Sequence, residues 1–237
     1  MTTLVKICGL WTADALDAAL DAQADFVGFV FFPRSPRHVE LADASALGAR
    51  VQGRARKVAL TVDADDALHE AIIAALTPDM LQLHGTESPE RVAALRSRFG
   101  LPVMKALPVE TDGDLAAAAN YAGIADLLLF DARAPKDATR PGGLGRPFDW
   151  SLLKALDPGL PFMLSGGLDR ANVADALALT QASAVDVSSG VEREPGIKDP
   201  DKIRDFIRAV RSRLTSSVAP QPALNREPRK DREQQRS

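Results

Sequence analysis

Apolar and polar residues alternate along this chain with two periodicities, one typical of strands and one typical of helices. Eight short apolar runs, rich in Val, Ile, Leu and Phe, fit buried strands, and their centres recur every 22 to 35 residues. The predicted strands cover residues 4–8, 26–31, 57–62, 80–84, 102–107, 126–131, 161–165 and 184–188. Each interval holds one strand and one crossover segment, so the pattern predicts parallel strands.

Amphipathic segments fill the intervals between these strands. Helices are predicted at residues 12–24, 88–99, 172–180 and 199–214, where small or apolar side chains recur three to four residues apart. Thr12 and Ser88 stand at predicted N-caps, and Pro89 takes the first helical position, which proline favours. Strand and helix therefore alternate through the chain.

This alternation predicts an α/β protein, with a parallel sheet covered by helices. Eight repeats is the number that closes a barrel. An open doubly wound sheet is the alternative, but it would place a Gly-x-Gly-x-x-Gly turn after the first strand, and the segment 8–12 reads CGLWT. We therefore predict a single (β/α)8 (TIM) barrel at residues 1–214.

The composition changes after Leu214. Residues 215–237 hold three prolines and a mixed run of charges, and they cannot bury enough apolar surface to offset the entropy of ordering. We predict a disordered polar tail, with contact of its basic residues to RNA or a protein as the second interpretation. The whole chain has a net charge of −3, which argues against a nucleic-acid binder.

The remaining composition bounds the chemistry and the location. Cys8 is the single cysteine, which excludes an internal disulfide and a multi-cysteine metal site. His38 and His69 have no partners at metal-ligand spacing, so no metal is predicted. The first residues do not resemble a signal peptide, and no apolar run reaches the ~18 residues of a membrane span. We expect a cytoplasmic protein that does not contact membranes.

Several predicted strands carry polar side chains on one face near their carboxyl ends, which is where barrels build active sites. Because side chains alternate along a strand, one face holds pairs of polar or reactive residues on three strands, and an acid closes a fourth. These candidates are Lys6 and Cys8, Gln82 and His84, Asp186 and Ser188, and Asp131. A buried lysine would be costly unless paired, and Asp186 is the candidate partner of Lys6.

Two glycine-containing turns follow the seventh and eighth strands. They comprise Ser165, Gly166 and Gly167, and Ser188, Ser189 and Gly190. Glycine lets a backbone approach an anion closely, and a helix start behind it adds positive potential. This is the place where barrels commonly bind phosphate, so the two turns together predict a phosphate site.

Six sequence blocks occur together and in order: VKICG at 5–9, GFVF at 28–31 with PRSPR at 33–37, QLHG at 82–85, FDW at 148–150, LSGGL at 164–168 and VDVSSGVE at 185–192. In this combination the chain closely resembles the phosphoribosylanthranilate isomerases of tryptophan biosynthesis. The resemblance implies a cofactor-free Amadori rearrangement, in which an aminoaldose substrate, a phosphosugar joined to anthranilate, becomes an aminoketose.

The resemblance also implies roles for single residues. Asp131 would be the general acid that opens the ribose ring, and Cys8 the general base that removes the C2 proton. Arg37 would pair with the anthranilate carboxylate, while His84 and Asp186 would line the pocket. Lys6 or the iminium intermediate would promote ionisation of the thiol. The long segment 132–147 is expected to close over the substrate.

Two other interpretations stay open. The first is another phosphosugar barrel: a histidine-pathway isomerase would want Asp where Cys8 stands, and an indole-glycerol-phosphate synthase would want a Lys/Glu set that is not found. The second is an inactive barrel that only binds a phosphorylated ligand or assists an assembly. The presence of both Cys8 and Asp131 argues against it. The oligomeric state, monomer or homodimer, is left undecided.

Overall fold

Eight parallel strands close into a barrel in the computed structural model, which describes residues 3–135, 137–145, 147–154, 156 and 159–216. The strands are Leu4–Cys8 (β1), Phe26–Phe31 (β2), Arg56–Thr61 (β3), Met80–Leu83 (β4), Val103–Val109 (β5), Leu127–Ala132 (β6), Phe162–Leu164 (β7) and Ala184–Val187 (β8). Each strand pairs with the next along the chain, and β8 pairs with β1. The predicted (β/α)8 barrel is confirmed, and every predicted strand end lies within two residues of the observed one.

Helices cover the outside of the barrel. They are Ala13–Asp21 (α1), Leu41–Val51 (α2), Asp66–Leu76 (α3), Pro89–Phe99 (α4), Asp112–Leu115 (α5), Val173–Thr180 (α6) and Pro200–Ser216 (α7). The predicted caps are present: Thr12 accepts a hydrogen bond from the Ala15 backbone at 3.4 Å, and Ser88 accepts one from Arg91 at 3.3 Å.

Two connections differ from the simple alternation of strand and helix. After β5, the short α5 continues as a 3-10 helix, Ala116–Tyr121. Between β6 and β7, the helical element among the described residues is a 3-10 turn, Trp150–Leu153. The preceding segment is rich in proline and glycine, which disfavour helix, and this leaves a long connection at the mouth of the barrel.

The chain after β8 adds a feature that the sequence did not predict. A 3-10 turn, Ser189–Val191, leads into an antiparallel hairpin of Glu192–Glu194 (β9) and Ile197–Lys198 (β10). Helix α7 then runs two residues beyond the predicted end at Leu214. The rest of the predicted tail, residues 217–237, lies outside the described residues.

The barrel interior is layered. Its lower part is apolar and consists of Phe26, Val58, Met80, Met104, Ala106, Leu129, Met163 and Ala184. Above this layer, toward the carboxyl ends of the strands, the interior side chains of β1, β4 and β8 are Lys6, Gln82 and Asp186, all buried. The apolar layer closes the barrel from below, so any ligand has to enter at the carboxyl ends.

Candidate active site

Lys6 projects into the barrel from β1, as the alternation predicted. It has no exposed surface, and its Nζ donates to Oδ1 of Asp186 at 2.8 Å. The strand register pairs Lys6 with Asp186 on β8, so the predicted ion pair is confirmed. Ser165, directly after β7, donates from its hydroxyl to the other carboxylate oxygen at 3.3 Å. A buried cation and a buried carboxylate are therefore held together in the barrel wall.

Cys8 lies beside this ion pair as a free, buried thiol. A methyl group on Gly28 of β2 would lie 3.1 Å from both Cys8 Sγ and Lys6 Nζ, so the two atoms border the same small space. Burial raises the pKa of the Cys8 thiol, and the positive charge of Lys6 acts in the opposite direction. Burial also acts to lower the pKa of Lys6, but Asp186 outweighs it and this pKa is raised. Lys6 therefore stays positively charged next to the thiol.

Asp131 reaches the same region from β6. Its Oδ1 accepts from the Ala132 backbone at 2.9 Å, and its Oδ2 lies 3.3 Å from His84 Nε2. Gln82 Nε2 lies 3.0 Å from His84 Nδ1, on the side of the imidazole ring away from Asp131. His84 therefore lies between Gln82 and Asp131 and contacts both side chains.

A cavity opens at the carboxyl ends of the strands. Of the predicted site residues, those that line it are Cys8, Arg37, His84, Asp131, Ser165, Gly166, Gly167, Asp186, Ser188 and Ser189. Lys6 and Gln82, predicted to bind substrate, lie one layer deeper with no exposed surface. Their polar atoms contact lining side chains, because interior positions one pleat below the strand ends are covered by the residues above them.

The predicted phosphate turns differ in what they offer to a ligand. Gly166 and Gly167 have φ values of +85° and +68° and line the cavity. Ser188 is engaged, since its hydroxyl donates to the Cys8 carbonyl at 3.1 Å and accepts from Lys198. Gly190 is required for packing, because a Cβ there would lie 1.9 Å from the Leu168 carbonyl oxygen.

The helix predicted behind the first of these turns is present, but it does not begin directly at the glycines. Helix α6 begins only at Val173, and the intervening residues form a turn in which Asn172 donates to the Gly167 carbonyl at 2.9 Å. The backbone at Gly166 and Gly167 therefore has to act through its own N–H groups.

Arg37 is fixed by residues that the sequence analysis did not single out. Its Nε and Nη2 donate to the two oxygens of Glu192 at 2.7 and 2.8 Å, in a buried bidentate pair. Lys198 donates to Glu192 Oε1 at 2.7 Å. Burial lowers the pKa of Lys198 to about 8, against the opposing effect of the Glu192 carboxylate. The hairpin β9–β10 supplies both residues, so its function in the site is to hold Arg37.

The described part of the connection after β6 crosses the mouth of the cavity. A Cβ on Gly142 would lie 2.5 Å from Asp131 Oδ2 and 2.7 Å from His84 Nε2. The Gly143 carbonyl accepts from Arg37 Nη2 at 3.1 Å, and Gly145 lies against Ser189. The connection thus passes above side chains from four different parts of the ring, and only glycine at 142 leaves room for that approach.

Comparison with known proteins places this architecture in one family. The family model of N-(5'-phosphoribosyl)anthranilate (PRA) isomerases matches residues 5–209. The chain belongs to the PRA isomerase family. The family resemblance found in the sequence is therefore confirmed, and with it the isomerase class; a histidine-pathway isomerase and an indole-glycerol-phosphate synthase are set aside.

Individual relatives agree with the family model. A PRA isomerase of Bradyrhizobium sp. (strain ORS 278) is 63% identical over 218 residues, which cover 92% of this chain and 100% of the relative. That of Rhodopseudomonas palustris (strain ATCC BAA-98 / CGA009) is 61% identical over 212 residues, with 90% and 100% covered. The crystal structure of the Thermotoga maritima PRA isomerase superposes with a TM-score of 0.80 at 34% identity, over 90% of this chain and 100% of that one.

One solved PRA isomerase structure contains a ligand. It is a complex with reduced 1-(o-carboxyphenylamino)-1-deoxyribulose 5-phosphate, at 32% identity and a TM-score of 0.78, covering 89% of this chain and 100% of that one. As for membranes, no helix in the described part of this chain has both the length and the apolar character to cross a bilayer.

Proposed function

We propose that this chain converts N-(5-phosphoribosyl)anthranilate into 1-(2-carboxyphenylamino)-1-deoxyribulose 5-phosphate, an Amadori rearrangement of tryptophan biosynthesis. Family membership supports the reaction. The observation that carries the residue assignment is that one cavity holds the buried Cys8 thiol on β1 and the Asp131 carboxyl group on β6. An acid and a base on different strands of one ring can act on different atoms of the same sugar.

The chemistry needs one proton delivered and one removed. Asp131 protonates the ribose ring oxygen, and the ring C–O bond breaks to give an open-chain iminium ion. The Cys8 thiolate then removes the proton from C2, the electron pair neutralises the iminium, and the resulting enolamine tautomerises to the ketone. C1 is reduced and C2 oxidised within one molecule, so the reaction requires no external oxidant, reductant or cofactor.

The buried layer below the cavity serves these two groups. Lys6 places a positive charge beside Cys8, which stabilises the thiolate against the effect of burial. Gln82 holds the imidazole of His84 in position, and His84 holds the carboxyl group of Asp131. Lys6 and Gln82 therefore act as positioning residues under the proposed mechanism and leave direct contact with the substrate to the cavity lining.

The two anionic ends of the substrate fit two separate parts of the cavity. The backbone at Gly166 and Gly167, with Ser189, would bind the phosphate group, because glycine N–H groups can approach an anion closely. Arg37 would bind the anthranilate carboxylate through Nη1, which has no hydrogen-bond partner among the described residues. Asp186 would line the pocket between them and keep Lys6 charged.

We further propose that the protein works in the cytoplasm, without nucleic-acid partners, as a monomer or homodimer. The net charge of −3 supports the absence of nucleic acid. A Thermotoga maritima relative at 32% identity is described as dimeric and has been converted to monomers, which supports both states for this fold.

The reaction is tested by mixing the purified chain with freshly generated phosphoribosylanthranilate and following the loss of its fluorescence. We expect rapid loss with the wild type, and a kcat lower by about 10²–10⁴-fold in Cys8→Ala, Cys8→Ser or Asp131→Asn. Asp112→Asn, which alters an exposed aspartate on α5, is the matched control and should retain full activity. No loss above spontaneous hydrolysis would overturn the proposal in favour of an inactive phosphate-binding barrel.

A further inference from the structure

Arg37 offers only part of its guanidinium to a ligand. Glu192 occupies Nε and Nη2, and the Gly143 carbonyl takes a second hydrogen bond from Nη2. Glu192 is itself held by Lys198 and by the Gly196 backbone N–H at 3.2 Å. Arginine binds carboxylates best through two parallel N–H groups, but Arg37 has only Nη1 left. A carboxylate at this place is therefore incompletely bound by Arg37.

A second arginine lines the same cavity and has no ion-pair partner among the residues that the structure describes. Arg140 lies in the connection after β6, and its Nε is buried with no hydrogen bond to any described residue. Its guanidinium also forms no ion pair within the described part of the chain. Burial lowers the pKa of Arg140, and the nearby charge of Arg37 lowers it further. Buried donors are almost always satisfied in folded proteins, so an orphaned one beside a second cation is best explained by an absent anion.

The position of Arg140 indicates which anion it would bind. The two charged side chains that affect the pKa of Arg140 are Arg37, which follows β2, and Glu192, which lies in β9. These two residues form an ion pair with each other. The phosphate turn at Gly166 and Gly167 follows β7 and belongs to another part of the ring. Gly143, three residues after Arg140 in the same connection, lies against Arg37, because a Cβ at position 143 would lie 2.6 Å from Arg37 Nη1. Any larger residue there would fill the space in front of the free Nη1.

We propose that Arg140 and Arg37 together bind the aromatic carboxylate of the substrate, with Arg37 Nη1 and the Arg140 guanidinium each donating to it. The inference rests on the proposed function, since it takes the substrate to be an N-aryl aminosugar with a carboxylate on the ring. Arg140 is then a specificity-determining residue: it favours carboxylated arylamines over neutral ones. The phosphate group and the sugar are bound elsewhere and do not depend on it.

The test measures binding of two probes by calorimetry. One is reduced 1-(o-carboxyphenylamino)-1-deoxyribulose 5-phosphate, and the other is the same compound without the carboxyl group. We expect Arg140→Met to lower the affinity for the carboxylated probe by about 10- to 100-fold, which is the range for hydrogen bonds to a charged group. The affinity for the other probe should not change. The affinity of Arg140→Lys for the carboxylated probe should lie between those of the wild type and Arg140→Met. Lysine keeps the positive charge but lacks the planar guanidinium that can donate two parallel hydrogen bonds.

Arg34→Met is the charge-matched control, because Arg34 is an exposed residue of the rim segment that carries Arg37. This substitution should lower the affinity for either probe by no more than about twofold, because an exposed surface charge is screened by salt. In steady-state assays, Arg140→Met should raise KM and change kcat little, since the carboxylate does not react.

The outcomes separate this proposal from the proposed function. Equal weakening of both probes by Arg140→Met, or no weakening of either, with wild-type isomerase activity intact, would overturn the two-arginine site alone. Equal effects of Arg34→Met and Arg140→Met would also overturn it, by showing long-range attraction only. A wild-type chain that binds neither probe and shows no isomerase activity would overturn the proposed function together with this inference.

Discussion

At the scale of single residues, the buried Lys6 has the clearest consequence for chemistry. Burial raises the pKa of the Cys8 thiol, so the thiol form predominates at neutral pH and the base is the minor, ionised form. Lys6 opposes this effect with a charge that Asp186 maintains. Where removal of the C2 proton by Cys8 limits the rate, kcat should therefore increase with pH above neutrality. At pH values below the thiol pKa, each rise of one pH unit increases the thiolate fraction about tenfold.

Removal of this charge gives the first residue-scale prediction. In Lys6→Met the thiol pKa should rise further, which moves the increase of kcat to higher pH. Cys8 is the only cysteine, so the ultraviolet absorbance of thiolate reports its ionisation directly. Lys6→Met leaves a buried carboxylate unpaired, at a cost of about 3–5 kcal/mol, so Lys6→Met with Asp186→Asn is the stable second variant.

The control for this titration is Lys154→Met, which removes an exposed lysine directly after the 3-10 turn Trp150–Leu153. It should leave the Cys8 titration and the pH profile unchanged. A thiol titration that is the same in wild type and in both Lys6 variants would show that Lys6 does not act on Cys8.

The same scale shows what the sequence can and cannot reveal about the site. Lys6, Cys8, His84 and Asp186 were found because side-chain direction alternates locally along a strand. Glu192 holds Arg37 across 155 positions of the chain, and no local pattern encodes that pairing. From the sequence alone, an acidic residue such as Glu192, next to a predicted turn, is interpreted as solvated surface. Only the fold shows that an arginine lies against it.

At the scale of elements, strand β2 is adapted to its neighbour β1. Gly28 stands opposite Cys8 in the register, and a Cβ there would lie 3.1 Å from Cys8 Sγ and from Lys6 Nζ. We predict that Gly28→Ala displaces these flexible atoms by a few tenths of an ångström and lowers kcat, whereas the melting temperature changes little. Reacting groups tolerate such displacement poorly.

Gly113→Ala is the matched control for this substitution. Gly113 lies in α5, and its added methyl would make ordinary contact at 3.7 Å with the Thr111 side chain. Activity assays and circular dichroism melts on both variants check the prediction. Full activity in Gly28→Ala would show that β2 places no constraint on the thiol.

Helices and strands were predictable where the local pattern of apolar residues identifies them. They were less predictable where their formation depends on residues distant in the sequence. All eight strands were found, because buried parallel strands are continuous apolar runs. Strand β5 was predicted to end at Leu107, before Pro108, which has no N–H for the ladder. It continues to Val109 because β6 pairs alongside it as far as Ala132. The β9–β10 hairpin has only two short strands, and its sequence carries no alternation that would distinguish it from a loop.

At the scale of the whole molecule, the barrel separates stability from chemistry. The cavity lies at the carboxyl ends of the strands, whereas the amino ends are joined by a different set of contacts. Arg211 of α7 donates to Asp25 at 2.6 Å, to the Gln23 carbonyl at 3.3 Å and to the Thr3 carbonyl. Asp25 also accepts from the Val5 backbone at 2.7 Å. The last helix is thereby tied to the beginnings of β1 and β2.

This separation predicts that Arg211→Met lowers stability and leaves catalysis unchanged. The half-buried network should contribute about 1–2 kcal/mol, which corresponds to a melting temperature lower by about 2–8 °C for a domain of this size. Arg204→Met is the control, because within the described residues Arg204 forms an ion pair with exposed Asp201 on the same helix, and such pairs contribute about 0.3–0.5 kcal/mol. Both variants should keep the wild-type kcat at 25 °C, since the amino ends of the strands lie below the apolar layer that closes the cavity. A lower kcat in folded Arg211→Met, or equal losses of stability in the two variants, would contradict this division between the two ends of the barrel.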